Sequence, residues 1–129
     1  MQHGFVEAAG RNLEYRLIPA HQLNRPTLVF LHEGLGSLAM WRDFPAKVAA
    51  ATGCRTLVYS RYGYGESDAL TESFTVRYMH DEALIALPEL LDKLEIDKPV
   101  LVGHSDGGSI ALIHAGGAGG WKRGLLFHF

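Results

Sequence analysis

Hydrophobic residues follow two different patterns along the chain. Residues 4–7 and 13–18 alternate polar and apolar side chains on either side of a glycine-containing turn at 8–12. This alternation predicts a β-hairpin whose second strand ends before Pro19. Three later segments are continuously apolar, as strands buried on both faces of a sheet must be. These segments are residues 27–31 (TLVFL), 55–60 (RTLVYS) and 99–102 (PVLV).

Helical patterns separate these strands. Residues 45–51 predict a helix that has Pro45 in its first turn and stops at Gly53. Residues 75–95 predict a longer helix with leucines along one face. Pro88 lies inside this second pattern, and we expect it to kink or split the helix because proline has no N–H to donate.

The end of the chain continues the alternation. An apolar helix is predicted at residues 109–115, a glycine-rich stretch at 116–120 breaks it, and residues 125–129 (LLFHF) predict one more strand. Strands that alternate with helices after an opening hairpin predict an α/β fold with a mostly parallel sheet. The 129 residues are predicted to form a single domain whose sheet stops after about the sixth strand.

Composition and charge exclude several classes of partner and site. The net charge is −2 without a basic or acidic block, so nothing favours nucleic acid or a charged membrane surface as a partner. Cys54 is the only cysteine, which excludes an internal disulfide, and no metal or other cofactor is predicted. No apolar run resembles a signal peptide or a membrane span, so a soluble, cytoplasmic protein is expected. The oligomeric state stays open.

A sharp turn after the third buried run carries the clearest chemical signal. Gly103 and Gly107 flank Ser105 in a G-x-S-x-G pattern between a predicted strand and a predicted helix. Such a nucleophile elbow exposes a serine hydroxyl, and it needs small residues two before and two after the serine. The N–H of Asp106 at the helix start could stabilise an oxyanion. Making Asp106 the nucleophile would place His104 where only a small side chain fits, which favours Ser105.

Three motifs together resemble the α/β-hydrolase superfamily. Residues 27–41 (TLVFLHEGLGSLAMW) are similar to the family's strand and oxyanion loop. Residues 60–67 (SRYGYGES) are similar to its D-x-x-G-x-G-x-S loop, with Ser60 in place of the aspartate. Residues 100–108 (VLVGHSDGG) are similar to its nucleophile elbow. The resemblance implies an α/β-hydrolase-type fold and a second oxyanion donor at the N–H of Gly34. Glu33 stands where the family usually has glycine.

The resemblance also suggests roles for the residues around the elbow. His32 is expected to brace the oxyanion loop. Tyr62, Tyr64, Ser67 and Asp68 are expected to fold their own loop through local hydrogen bonds. Packing is the expected role of Trp41. Candidates for lining a substrate pocket are Glu33, Ser37, Trp41 and His104.

The catalytic partners of the serine are not evident in the chain. A serine triad needs a histidine base and an acid, which follow the serine in this superfamily. Only His114 and His128 come after Ser105, no acid follows Asp106, and neither histidine is placed like the family's late base. We therefore expect an N-terminal portion of a serine hydrolase that acts on an ester or similar small carbonyl substrate, with little or no turnover by itself.

The sequence leaves two other classes of function open. Residues 34–39 (GLGSLA) match the G-x-G-x-x-A fingerprint of dinucleotide-binding folds directly after a strand. Pro45 argues against that reading because it would fall inside the fingerprint helix. The other alternative is a non-catalytic protein that keeps the α/β-hydrolase-like fold.

Overall fold

The computed structural model describes residues 2–71, 73–117 and 126–128. Its strands and helices alternate much as the hydrophobic pattern predicts. The strands are β1 (Gln2–Ala8), β2 (Arg11–Ile18), β3 (Leu28–Leu31), β4 (Thr56–Tyr59), β5 (Val100–Gly103) and β6 (Leu126–His128). The α-helices are α1 (Phe44–Thr52), α2 (Tyr78–Asp81), α3 (Leu87–Lys93) and α4 (Asp106–Gly117). A 3₁₀ turn (Ala39–Trp41) precedes α1, and a π-helical segment (Glu82–Ala86) joins α2 to α3.

The strands form one mixed sheet in the order β1-β2-β4-β3-β5-β6. The hairpin strands are antiparallel, and β2 continues antiparallel onto β4 with Tyr15 opposite Tyr59. The remaining pairs, β3–β4, β3–β5 and β5–β6, are parallel. Both the opening hairpin and the mostly parallel sheet are therefore confirmed.

Both faces of the central strands are buried, which explains why their sequences are continuously apolar. Side chains alternate between the two faces of a strand. On β3, Val29 and Leu31 face the core shared with α3 and α4, whereas Leu28 and Phe30 face a second cluster that includes Trp41. Burying an aliphatic or aromatic side chain of this kind contributes roughly 1.5–3 kcal/mol to folding.

The helix predicted at residues 75–95 is present but differs in form. It begins at Tyr78 and ends at Lys93, and its middle widens into the π-helical segment just before Pro88. Pro88 cannot donate to the carbonyl four residues earlier, so the ladder is interrupted there. The expected split is thus a change of helical pitch.

The helix after the elbow is longer than its pattern predicts. It begins at Asp106 rather than at Ser109, because the N–H of Ser109 already donates to the carbonyl of Ser105 at 3.1 Å. It also continues to Gly117, into the glycine-rich stretch at 116–120 that was predicted to break it, and residues 118–120 lie outside the described residues. In the described ranges, no helix combines the length and hydrophobicity that a membrane crossing needs.

Candidate active site at the strand-to-helix elbow

Ser105 occupies the tip of a tight turn between β5 and α4. Its φ is 54°, in the left-handed region that side chains other than glycine rarely adopt. The turn is closed by the N–H of Gly107, which donates to the carbonyl of His104 at 2.9 Å. Ser105 is exposed, so its hydroxyl is accessible at the carboxyl end of β5.

The elbow glycines occupy positions with no room for a side chain. A Cβ on Gly103 would overlap the backbone carbonyl of Gly107, and one on Gly107 would overlap the carbonyl of Leu31 at the end of β3. The N–H of His104 also donates to the Leu31 carbonyl at 3.1 Å. The turn is therefore fixed against the neighbouring strand, which explains the spacing of the two glycines.

The oxyanion loop lies directly against the elbow. A Cβ on Gly34 would be 2.7 Å from Oδ2 of Asp106, so the two residues predicted to supply oxyanion donors are neighbours in space. Their contact joins a loop that follows β3 to the first turn of α4, and these segments are separated by more than half of the chain.

His32 stabilises this loop through hydrogen bonds, as the resemblance implied. It is 2% exposed; its Nδ1–H donates to the carbonyl of Glu33 at 2.7 Å, and its Nε2 accepts the N–H of Arg61 at 3.0 Å. The Arg61 guanidinium in turn donates to the His32 carbonyl. Burial, together with the charge of Arg61, lowers the pKa of His32 to about 3, so the ring is neutral at physiological pH.

The four predicted pocket-lining residues have different surroundings. Trp41 packs edge-on against Phe30 with ring centroids 5.1 Å apart, which confirms a packing role. His104 lies 6.4 Å from the Trp41 ring on the same side of the sheet. Ser37 opens the 3₁₀ turn by accepting the N–H of Met40.

Glu33 shapes the loop mainly through its backbone. Its carbonyl accepts the N–H of Gly36 at 3.1 Å, and its side chain packs over the same glycine. The φ of Glu33 is not positive, so a side chain is tolerated where the family usually has glycine.

A cavity of about 340 Å³ lies between the hairpin, the loop after β4 and the α2–π segment. Its wall includes Tyr64, Phe74 and Tyr78, and none of the four residues predicted to line a pocket borders it. Tyr78 connects this cavity to the elbow, because its hydroxyl donates to Oδ2 of Asp106 at 2.9 Å. Sequence reasoning missed Tyr78; the only available signal was an aromatic residue at the start of a predicted helix.

Ser60, which replaces the family's aspartate, is the centre of a buried network. Its hydroxyl donates to Oε1 of Glu14 at 2.6 Å and accepts the N–H of Leu38 at 2.8 Å. Glu14, on the neighbouring strand β2, thereby supplies the carboxylate that Ser60 lacks. The sequence offered one signal for Glu14, an acidic residue between the apolar residues of a predicted strand.

The loop after β4 is held by strand β2 rather than by local bonds alone, which corrects the sequence-based expectation. The hydroxyl of Ser67 accepts the N–H of Glu14 at 2.8 Å, and Oδ2 of Asp68 accepts the N–H of Asn12 at 2.8 Å. Tyr62 does bond locally, to Thr71. The hairpin therefore supports the loop that holds Arg61.

One group of side chains among the described residues has the composition of a metal site. The ligand atoms of His3, Glu14 and Glu66 lie within 4.8 Å of one another. Oε1 of Glu14 already accepts the Ser60 hydroxyl and the N–H of Glu66. We assign no metal to this group.

The histidine in α4 is not aimed at the elbow. His114 is buried, and its Nδ1 lies 2.8 Å from the carbonyl of Ala83 in the π-helical segment. Burial lowers the pKa of His114. These contacts give it a place in the core. The side chain of His128 lies outside the described residues.

Comparison with known proteins identifies the family. Residues 26–116 match the model of the alpha/beta hydrolase fold. The chain belongs to the α/β-hydrolase family. It is 33% identical over 129 residues to the proline iminopeptidase of Saccharolobus solfataricus, covering 98% of this chain and 40% of that protein. It is also 33% identical over 104 residues to the sn-1-specific diacylglycerol lipase ABHD11 of Danio rerio, covering 81% of this chain and 31% of that protein.

Solved structures support the same fold. A Vigna radiata epoxide hydrolase mutant superposes with a TM-score of 0.72 at 24% identity, covering 88% of this chain and 34% of that one. The α/β-hydrolase chain described here therefore spans well under half the length of these relatives.

The dinucleotide-binding alternative is not supported. The fingerprint requires its glycines to lead directly into an α-helix, but the α-helix that follows the glycines at 34 and 36 begins only at Phe44. The family match covers the same residues.

Proposed function

We propose that Ser105 is the nucleophile of a serine hydrolase that forms an acyl-enzyme with an ester or similar small carbonyl substrate. The observation that carries this proposal is the left-handed φ of 54° at an exposed serine between a buried strand and a helix. A strained backbone at an accessible nucleophile is typical of this elbow. The N–H groups of Gly34 and Asp106 would receive the oxyanion, and one such donor typically lowers the barrier by about 2.7–4 kcal/mol.

The names of the relatives span a peptidase, a lipase and an epoxide hydrolase, so the nucleophile has to be chosen from the site. Asp106 would be the rival nucleophile. It has no positive φ and is already the first residue of α4, with its carboxylate bonded to Tyr78. Ser105, not Asp106, has the geometry of an elbow tip, which supports acyl chemistry.

The base and the acid of the triad are the missing parts of this mechanism. Within the described residues, the histidine after the elbow is buried against Ala83 rather than poised beside Ser105. We infer that the 129-residue chain has little or no turnover alone, and that the residues completing the triad belong to the part of the fold that its longer relatives contain. We also propose that the protein is cytoplasmic and that its substrate is a small molecule.

Binding of a boronic acid tests the nucleophile without requiring turnover. Isopropylboronic acid should form a tetrahedral adduct with the Ser105 hydroxyl, detected by ¹¹B NMR and calorimetry, and Ser105→Ala should abolish it. Hydrolysis of p-nitrophenyl acetate by the chain should equal that of Ser105→Ala. Serine-dependent hydrolysis would refute the predicted inactivity. Absence of any serine-dependent adduct would favour the non-catalytic alternative.

A further inference from the structure

The carboxylate of Asp106 lies beside the proposed oxyanion donors, where its negative charge disfavours formation of an oxyanion. Asp106 directly follows Ser105, and its Oδ2 lies 2.7 Å from the position of a Cβ on Gly34. These two residues are the proposed oxyanion donors. Two negative charges that are close together in a partly desolvated site repel each other. The Asp106 carboxylate therefore raises the energy of an oxyanion held by these donors, unless a positive charge lies close to both groups.

The chain orients this carboxylate without neutralising it. The hydroxyl of Tyr78 donates to Oδ2, and the same hydrogen bond raises the pKa of Tyr78, so the phenol stays protonated. Among the ion pairs of the described ranges, none includes Asp106. The guanidinium of nearby Arg61 is committed to the carbonyls of His32 and Glu33. Asp106 is only partly buried.

We propose that the Asp106 carboxylate and the Tyr78 hydroxyl form a subsite for an ammonium group on the acyl part of the substrate. This inference rests on the proposed function, since it takes Ser105 as the nucleophile. An ammonium here would offset the repulsion and make a charge-assisted hydrogen bond to the carboxylate. The aspartate side chain is short and carries one proposed oxyanion donor on its own backbone. We therefore place the amine on the carbon next to the reacting carbonyl, as in α-amino esters and amides.

The surroundings of Tyr78 fit a small cationic group. Its ring lies 5.0 Å from that of Phe74, and Phe74 stacks on Tyr64 at 6.0 Å, so aromatic surface begins beside the carboxylate. The cavity beyond Tyr78 does not set the charge preference, because two carboxylates and two guanidinium groups line it. These are Asp81, Glu82, Arg11 and Arg61. The preference for a cation therefore depends on Asp106.

A pair of boronic acids of equal shape tests the subsite in the 129-residue chain. 1-Aminoethylboronic acid carries the ammonium, and isopropylboronic acid replaces it with a methyl group. We expect the amine to bind about 10- to 100-fold more tightly, as charged hydrogen bonds of this kind allow. Asp106→Asn should remove this preference and should bind the neutral compound more tightly than the unmodified chain does, because the charge that opposes the anionic adduct is gone. Asp81→Asn, which deletes a carboxylate from the cavity instead, should retain the preference.

The outcomes separate this inference from the proposed function. Equal affinity of the two compounds for the unmodified chain, or a preference that survives in Asp106→Asn, overturns the ammonium subsite and leaves the nucleophile intact. Failure of both compounds to bind, or equal binding to Ser105→Ala, overturns the nucleophile and the subsite together. Binding of the neutral compound to Asp106→Asn shows that this variant is folded.

Discussion

Acidification should weaken the fold through His32. Its ring is buried between two backbone partners, and its Nε2 must accept the N–H of Arg61 at 3.0 Å. Protonation of Nε2 would turn this acceptor into a donor, so two N–H groups would face each other and the hydrogen bond to Arg61 would be lost. The pKa of His32 is accordingly about 3, against an ordinary value of 6.5 in the unfolded chain. Between these two values the unfolded chain binds a proton that the folded chain does not, so stability falls as the pH falls.

The size of the effect follows from the difference between the two pKa values. At pH 7 the histidine is largely neutral in both states, and at pH 5 it is protonated mainly in the unfolded state. One pKa unit corresponds to about 1.36 kcal/mol, so His32 alone should remove about 2 kcal/mol of stability between pH 7 and pH 5. The buried His114 acts in the same direction, because burial also lowers its pKa.

Urea unfolding at both pH values, followed by tryptophan fluorescence, measures the effect. His32→Gln is the matched variant, because glutamine keeps a donor and an acceptor but does not titrate. The unmodified chain should lose about 2 kcal/mol more than His32→Gln between pH 7 and pH 5. Equal losses in the two proteins would refute the assignment of a neutral, buried His32.

Three further substitutions and one control substitution test the elbow and the network that supports it, with the free energy of unfolding as the measurement. Gly107→Ala should destabilise the fold by about 3 kcal/mol or more, because the new Cβ would overlap the carbonyl at the end of β3. The control Gly116→Ala lies in the same helix, where a Cβ meets nothing within 4 Å, and it should stabilise the fold slightly. Ser105→Gly should stabilise the fold by about 1 kcal/mol by relieving the left-handed φ; a loss of stability would contradict strain at this position. Glu14→Gln should destabilise by about 1–2 kcal/mol, since two donors lose a charged acceptor.

Local patterns were enough to predict most of the elements. The hairpin, the central strands and α1 follow from alternation, continuous apolar runs and the positions of Pro45 and Gly53, all of which act over a few residues. The elbow was also readable, because a strand, a small-Ser-small turn and a helix adjoin one another in the chain. Element ends were less accurate, as at Asp106 and Gly117, because helix termini depend on capping and packing.

The surroundings of the elbow were decided by tertiary structure. The bonds Tyr78–Asp106, Glu14–Ser60 and His32–Arg61 each join residues more than 25 positions apart. Glu14 lies on the antiparallel strand β2 and Tyr78 on helix α2, so strand pairing and helix packing bring these partners together. No periodicity in the sequence records which side chains will face each other in this way. The sequence alone was therefore enough to predict the position of a candidate nucleophile, Ser105. The tertiary structure determined which charged and polar groups surround it.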